Sequence, residues 1–262
     1  MSDHARLSPS ARHRWSKCPG SVAKEKNYEN VSSEASIDGT HSHTLLQVCI
    51  EGMKSPISMV GQILKDDEGE FTVDSDRANR VKIATDYIFR KVQFDGHLVL
   101  SETKVNPSRI LRREDMFGTV DVQLIGGGVL EIIDYKDGMG IVEVKENPQL
   151  EQYAIGVISQ MSPMDAMRYK LGKVKMTIIQ PKASMRGLPT INSWEIDMSE
   201  LYDGGRISKL TKEAAATDDL NAPLVPGESQ CRFCKHSGNC GSLAVKAMDS
   251  IGVAFPSIET GE

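Results

Sequence analysis

Apolar positions in the first part of the chain recur with a helical period. Ser8-Pro9-Ser10 opens a short helix, with Ser8 as N-cap and Pro9 in the first turn; it carries Trp15 and should stop at Cys18-Pro19-Gly20. A second helix is expected from about Glu34 to Glu51, with His43, Leu46 and Ile50 at helical spacing and Gly52 ending it. Residues 55–73 keep no clear period and read as an irregular or hairpin excursion. A third helix spans about Asp74 to Gln93, with Ala78, Val81, Ala84, Tyr87 and Ile88 on one face.

The centre of the chain changes period. His97 to Val105 and Gly118 to Ile125 alternate, and Val129 to Tyr135 is an apolar strand with an acidic end. A helix follows from Asn147 (N-cap) and Pro148 (first turn) to Met161, with Leu150, Ala154, Val157 and Ile158 inward. Strands at Lys173 to Gln180 and Ile191 to Met198 and a helix from about Ser199 to Thr217 complete the pattern. No internal repeat or low-complexity segment is visible. This order predicts an α/β fold of one domain with a mixed central β-sheet flanked by helices. Its parts are an N-terminal helical region (1–95), a core (96–220) and a cysteine-rich tail (221–262).

Composition narrows the class. The 262 residues are 39% hydrophobic and 26% charged, as for a soluble globular chain. No apolar run approaches the roughly 20 residues that cross a bilayer, and the start, Met1 to Arg6, lacks the apolar core of a signal peptide. A cytoplasmic location without membrane contact is the expectation. A net charge of −5 argues against a passive nucleic-acid coat, but not against a carboxylate metal site acting on nucleic acid. Basic residues group at Arg12, Arg14 and Lys17 and again at Arg109, Arg112 and Arg113; charge alone reads both groups as solvated surface.

The sharpest chemical signal is a hairpin. With Gly127-Gly128 as a two-residue loop, Gly126 pairs with Val129, and counting outward sets Asp121 opposite Asp134. Directly opposed side chains have Cβ atoms about 5 Å apart, so the two carboxylates repel unless a cation lies between them. Lys136, two residues beyond Asp134, projects from the same face. Two acids and a lysine suit a Mg²⁺ or Mn²⁺ site that activates water and neutralises a phosphate. The plainer alternative is a surface hairpin in which Lys136 screens two acids. Gln149 and Tyr153, one turn apart, share a helix face.

Five cysteines occur: Cys18, Cys49, Cys231, Cys234 and Cys240. Cys49 lies on an apolar helix face and reads as core. Cys231, Cys234 and Cys240 form C-x2-C-x5-C, a metal-binding spacing that lacks a fourth ligand; Cys18 is the natural candidate. His236 inside the triplet could instead complete a Cys₃His zinc site, and spacing alone separates neither metal.

Taken together, these motifs resemble the RecB-type branch of the PD-(D/E)XK nuclease superfamily. Gly39-Thr40-His41-Ser42-His43 resembles its Gly-Thr-x-x-His turn, Gly118 to Asp121 its Gly-x-x-Asp, Asp134-Tyr135-Lys136 its Asp/Glu-x-Lys, and Gln149 to Tyr153 its Gln-x-x-x-Tyr. The resemblance implies a restriction-endonuclease-like core. It also implies metal ligation by His43, Asp121, Asp134 and the main-chain carbonyl of Tyr135, with Lys136 catalytic. Gln149 and Tyr153 would contact DNA or steady the site, and Glu102 would stand behind the ligands. His41 competes with His43, but two residues apart on a helix they point about 160° apart, so one of them reaches the metal. One distant cysteine with a C-terminal triplet resembles the iron–sulfur nucleases of the AddB and CRISPR-associated exonuclease types. That implies a [4Fe–4S] cluster on Cys18, Cys231, Cys234 and Cys240, a clasp closing the domain. Leu7 to Ser21 is similar to a bacteriophage family of RecB-related proteins, implying work in phage recombination, repair or replication, with DNA and a phage single-strand-binding or recombination protein as partners.

The leading expectation is a Mg²⁺- or Mn²⁺-dependent DNA nuclease, an exonuclease lacking a motor motif of its own. The alternatives are a non-catalytic DNA-binding or assembly protein on the same fold, and a metal-dependent hydrolase of small substrates.

Overall fold

In the computed structural model the turn Pro9–Ala11 leads into α1 (Arg12–Trp15) and α2 (Gly20–Glu25), then α3 (Glu34–Gly52). A small hairpin, β1 (Ile63–Asp66) and β2 (Gly69–Thr72), precedes α4 (Ser75–Asp95). The core continues with β3 (Leu98–Val105), α5 (Ser108–Leu111), β4 (Gly118–Gly126), β5 (Val129–Tyr135), α6 (Pro148–Gln160) and α7 (Pro163–Arg168). Then come β6 (Lys173–Ile179), β7 (Ile191–Asp197), α8 (Met198–Tyr202), α9 (Arg206–Ala216), α10 (Glu228–Cys231) and α11 (Gly241–Ala254). The structure describes residues 5–29 and 31–254, with side chains to 250. Met1–His4, which opens the chain, and 255–262, which end the cysteine-rich tail, lie outside the described residues, as does 30.

The elements form for local reasons that the sequence carries. Ser33 caps α3 by accepting from Ser36 N–H, Asp74 caps α4 through Arg77 N–H, and Asn147 caps α6 through Gln149 and Leu150 N–H, with Pro148 in its first turn. Two boundaries differ from expectation. The first helix stops at Trp15, ahead of Cys18-Pro19-Gly20, but Pro19 is then the N-cap of a further helix, α2, that was not expected. The helix expected over 199–217 is two helices, broken at Gly204-Gly205, where Gly205 takes φ +77°.

The central sheet has the order β3-β4-β5-β6-β7, antiparallel except for the parallel pair β5/β6, so it is mixed. Helices cover both faces. Leu45, Leu46, Cys49 and Ile50 of α3 and Ala78, Val81, Ala84 and Ile88 of α4 pack on Val122, Leu124, Ile133 and Tyr135. On the other face Leu150, Ala154 and Val157 of α6, Trp15 of α1 and Leu210 and Ala214 of α9 pack on Ile125, Leu130 and Ile132. The result is three layers with the sheet in the middle. Among the described residues no helix is long and apolar enough to cross a membrane.

Arg12 is a correction to the surface reading of the first basic group. It is wholly buried, its guanidinium paired with Glu151 of α6 and Glu213 of α9 and donating to Pro148 O. Charge counting could not find it, because its partners lie more than 130 residues away.

Candidate active site

The hairpin register places the site. Gly127 and Gly128 take φ +58° and +80°, both positions of a two-residue turn that residues other than glycine adopt poorly, and Gly126 pairs with Val129. The ladder runs to Val122↔Ile133 and stops one step short of Asp121 and Asp134. There the Asp121 carboxylate replaces a main-chain partner: its Oδ2 accepts the Tyr135 N–H at 2.7 Å.

Asp121 sits at a kink shared by two strands. On β3, Leu98 and Leu100 lie on the α6 side with Thr103 and Val105, so the side-chain alternation slips between positions 100 and 103. Glu102, in that interval, has φ +45°. On β4, Val122 and Leu124 face α3 and α4 while Val120 packs on the α6 side, so alternation slips there too. The pairing register is unbroken but skips Glu102 and Asp121. A left-handed glutamate costs about 1–3 kcal/mol and persists only where its surroundings over-determine it. Here it turns Glu102 and Asp121 out of strict alternation and toward His43 on α3.

His43, Glu102 and Asp121 thus form a group whose ligand atoms all lie within 4.8 Å of one another. His43 Nδ1 is 3.5 Å from Asp121 Oδ1. Ligands on opposite sides of one ion at about 2.1 Å are about 4.2 Å apart, so small movements would close this trio on a cation. The donor set, one imidazole and two carboxylates, fits a divalent metal. The glycine that opens this strand also has a steric reason. A Cβ on Gly118 would stand 2.8 Å from the Pro9 ring and 3.0 Å from the Tyr153 ring.

Beside the trio, Asp134 is buried and held by α6. Its Oδ1 accepts from Gln149 Nε2 (2.9 Å) and Lys136 Nζ (3.1 Å). Its Oδ2 has the Lys136 ammonium at 2.9 Å but no well-directed hydrogen bond. Gln149 also accepts from Lys136 (3.3 Å) and donates to the Tyr153 hydroxyl (3.3 Å). The structure therefore gathers His43, Glu102 and Asp121 in one group and Asp134, Lys136, Gln149 and Tyr153 in an adjoining one. Glu102, expected from sequence to stand behind the ligands, lies in the same group as His43 and Asp121. Gln149 and Tyr153 brace Asp134 and Lys136. His41 turns away, its Nδ1 2.7 Å from Asp66 and its ring stacked on Phe71.

Electrostatics follow from this packing. Burial pushes the Asp134 carboxyl up, as does Asp121, against the pull of Lys136. Burial would raise Asp121 too, but His43, Lys136 and the Tyr135 N–H hold it below the ordinary range. Burial opposes the Lys136 charge, yet Asp134 and Asp121 raise its pKa, so it remains an ammonium donor. Burial, then the Asp121 charge, pushes Glu102 up to about 7. Burial works to lower His43, but Asp121 outweighs it and raises the imidazole to about 9.

Glu102 and His43 both bind protons more tightly folded than unfolded. Their stabilisation of the metal-free protein is fully present below the ordinary values of 4.5 and 6.5 and lost as pH rises through about 7 and about 9. Metal binding needs both deprotonated. In chelator the melting temperature is expected to fall between about pH 5 and about pH 9, and the upward shift on adding Mn²⁺ to grow over that window. Differential scanning fluorimetry with and without Mn²⁺ checks this; a shift independent of pH contradicts it.

The N-terminal helices and the tail meet beside Cys18 and Cys231; among the described residues no three cysteines bring their sulfurs within 4.8 Å of one another. Gly20 N–H donates to Pro223 O (3.1 Å), Arg14 to Phe233 O (3.1 Å), and Lys235 N–H to Glu25 (2.7 Å). Cys18 Sγ accepts from Val225 N–H (3.2 Å) and Cys231 Sγ from Gly227 N–H (3.3 Å). His236 Nδ1 is bonded to the Tyr28 hydroxyl at 3.0 Å. Cys49 is wholly buried on α3, in the core as expected.

Fold and site together define an α/β chain with a mixed sheet, at whose edge a histidine and two carboxylates form a metal-capable group. Residues 4–259 match the family described as "Protein of unknown function (DUF2800)", and the chain belongs to that family. Among solved structures, SSO0001 is similar over 93% of this chain and 89% of its own, at 15% identity and a TM-score of 0.42. An alkaline exonuclease (LHK-Exo) from Laribacter hongkongensis is similar over 81% of this chain and 87% of its own, at 8% identity and a TM-score of 0.35.

Proposed function

We propose that this chain is a metal-dependent DNA nuclease, an exonuclease of the PD-(D/E)XK type, hydrolysing phosphodiester bonds in phage-type recombination, repair or replication. The observation that carries the reading is the adjacency of the His43–Glu102–Asp121 group to the pair made by buried Asp134 and half-buried Lys136. His43, Glu102 and Asp121 would hold the cation, with Asp134 and the Tyr135 carbonyl completing its surroundings. A divalent ion there supplies charge neutralisation for the phosphate and lowers the pKa of a coordinated water. The imidazole in the donor set favours Mn²⁺ over Mg²⁺. Lys136, kept protonated, donates to the attacking water or to a non-bridging phosphate oxygen, and Gln149 fixes its direction through Oε1.

The same reading assigns Cys18, Cys231, Cys234 and Cys240 to a [4Fe–4S] cluster, for which the N–H donors on Cys18 and Cys231 are suited. Structural zinc is the competing occupant, and visible absorbance near about 400 nm in protein prepared without oxygen separates them.

The functional test is time-resolved digestion of end-labelled single- and double-stranded DNA with Mn²⁺ or Mg²⁺. Progressive shortening from an end is expected, reduced about 10²- to 10³-fold in Lys136→Ala. Cleavage by the wild type no greater than in chelator overturns the proposal.

A further inference from the structure

We infer that Asp137 is a positioning residue: gripped by Arg80, it takes the Ser42 hydroxyl and so sets His43 on α3 against Asp134 and Lys136 at the end of β5. The inference rests on the nuclease reading above and adds how two groups carried by separate elements keep their spacing.

Consecutive side chains at the end of β5 turn to opposite layers. Lys136 Nζ reaches Asp134 (3.1 Å) and Gln149 of α6 (3.3 Å). Asp137, with 1% of its side chain exposed, reaches α3 and α4 instead. It accepts from Ser42 Oγ at 2.6 Å and from Arg80 Nε and Nη2 at 2.8 and 2.9 Å, with Lys182 Nζ 3.7 Å away. Ser42 precedes His43 and Asp137 follows Lys136. Histidine and lysine are thus joined by one hydrogen bond with a single peptide link on each side of it.

That bond is of the kind that fixes a distance. A hydrogen bond to a carboxylate is short and roughly twice as strong as one between neutral groups. The Ser42 hydroxyl has one hydrogen, and the charged acceptor at 2.6 Å outcompetes the Asp38 carbonyl at 3.1 Å. Arg80 holds both Asp137 oxygens, which fixes the direction from which Ser42 donates.

The rest of α3 offers no equivalent. No residue before Ser42 on this helix is buried. Leu45, Leu46, Cys49 and Ile50 after it are seated by apolar packing, which has no direction of its own. The other polar ties of its first half lead away from β5: Asp38 to Arg77, Arg80 and Lys182, and His41 and Thr44 to Asp66 of β1. His43 therefore stands at the first seated turn of α3, and Asp137 is what seats that turn on β5.

The test is calorimetric titration of the full chain with Mn²⁺, beside steady-state cutting of end-labelled DNA. Ser42→Ala removes the hydroxyl, leaves the Asp137–Arg80 pair in place and puts a good helix former in the helix interior. It is expected to weaken Mn²⁺ binding about tenfold and to lower kcat about tenfold, with KM for DNA unchanged. Cys49→Ala, about two turns along the same helix and buried away from the site, is the control for loosened packing. It should lower the melting temperature and leave Mn²⁺ affinity as in the wild type. Wild-type Mn²⁺ affinity in Ser42→Ala, or an equal loss in Ser42→Ala and Cys49→Ala, overturns the positioning role and leaves the nuclease reading standing. A wild type that neither binds Mn²⁺ nor cuts DNA overturns both.

Discussion

Asp121→Asn is expected to lower Mn²⁺-dependent DNA hydrolysis by about 10³-fold, or about 4 kcal/mol of transition-state stabilisation, while the protein stays folded. Asparagine keeps an oxygen for the Tyr135 N–H, which otherwise would be left unpaired beside buried strands. What it removes is the charge that draws His43 and a cation together. Activity alone would not separate this from loss of a structural contact, so the decisive readout is metal-induced stabilisation. The rise in melting temperature with Mn²⁺ should vanish in Asp121→Asn and shrink in Glu102→Gln, since both belong to the same group. Lys136→Ala should keep that rise and lose turnover. Wild-type Mn²⁺ stabilisation in Asp121→Asn would remove the metal centre from this part of the sheet.

Arg12→Met is expected to destabilise the protein by about 3–5 kcal/mol, measured by urea unfolding. The guanidinium satisfies Glu151 and Glu213 and the Pro148 carbonyl from a fully buried position. Removing it leaves Glu213 short of charge and a buried Glu151 dependent on Arg206 alone. Arg12→Lys should recover only part of the loss, because one ammonium cannot reproduce the planar fork. Replacing all three as Arg12→Met/Glu151→Leu/Glu213→Leu should cost far less than Arg12→Met, since no charge is then stranded. A loss below about 1 kcal/mol in the single variant would show that water reaches the cluster. The same contact fixes the start of α6, one residue from Gln149, so the destabilised variant should also cut DNA more slowly.

Much of the fold was legible because its signals are local. The strands at 118–126 and 129–135, the glycine turn between them and the Asn147-Pro148 helix start depend on neighbours a few residues away. The pairing sum set by the turn carried through to Val122↔Ile133. The short helices α2, α5, α7 and α10 were not expected, because a single turn is too brief to show a period. The long α11 fell in a tail read only for its cysteines.

The candidate site divides along the same line. Sequence by itself determined which residues could carry the chemistry and the hairpin register as far as Val122 and Ile133, since a two-residue turn fixes register by counting. Tertiary structure alone decided that Glu102 joins His43 and Asp121, that Asp134 is handed to Lys136 and Gln149, and that Arg12 lies inside. The reason is that alternation along a strand is a local rule. The paired kink at Glu102 and Asp121 breaks it through a left-handed residue on β3, a strand that both α3 and α6 contact.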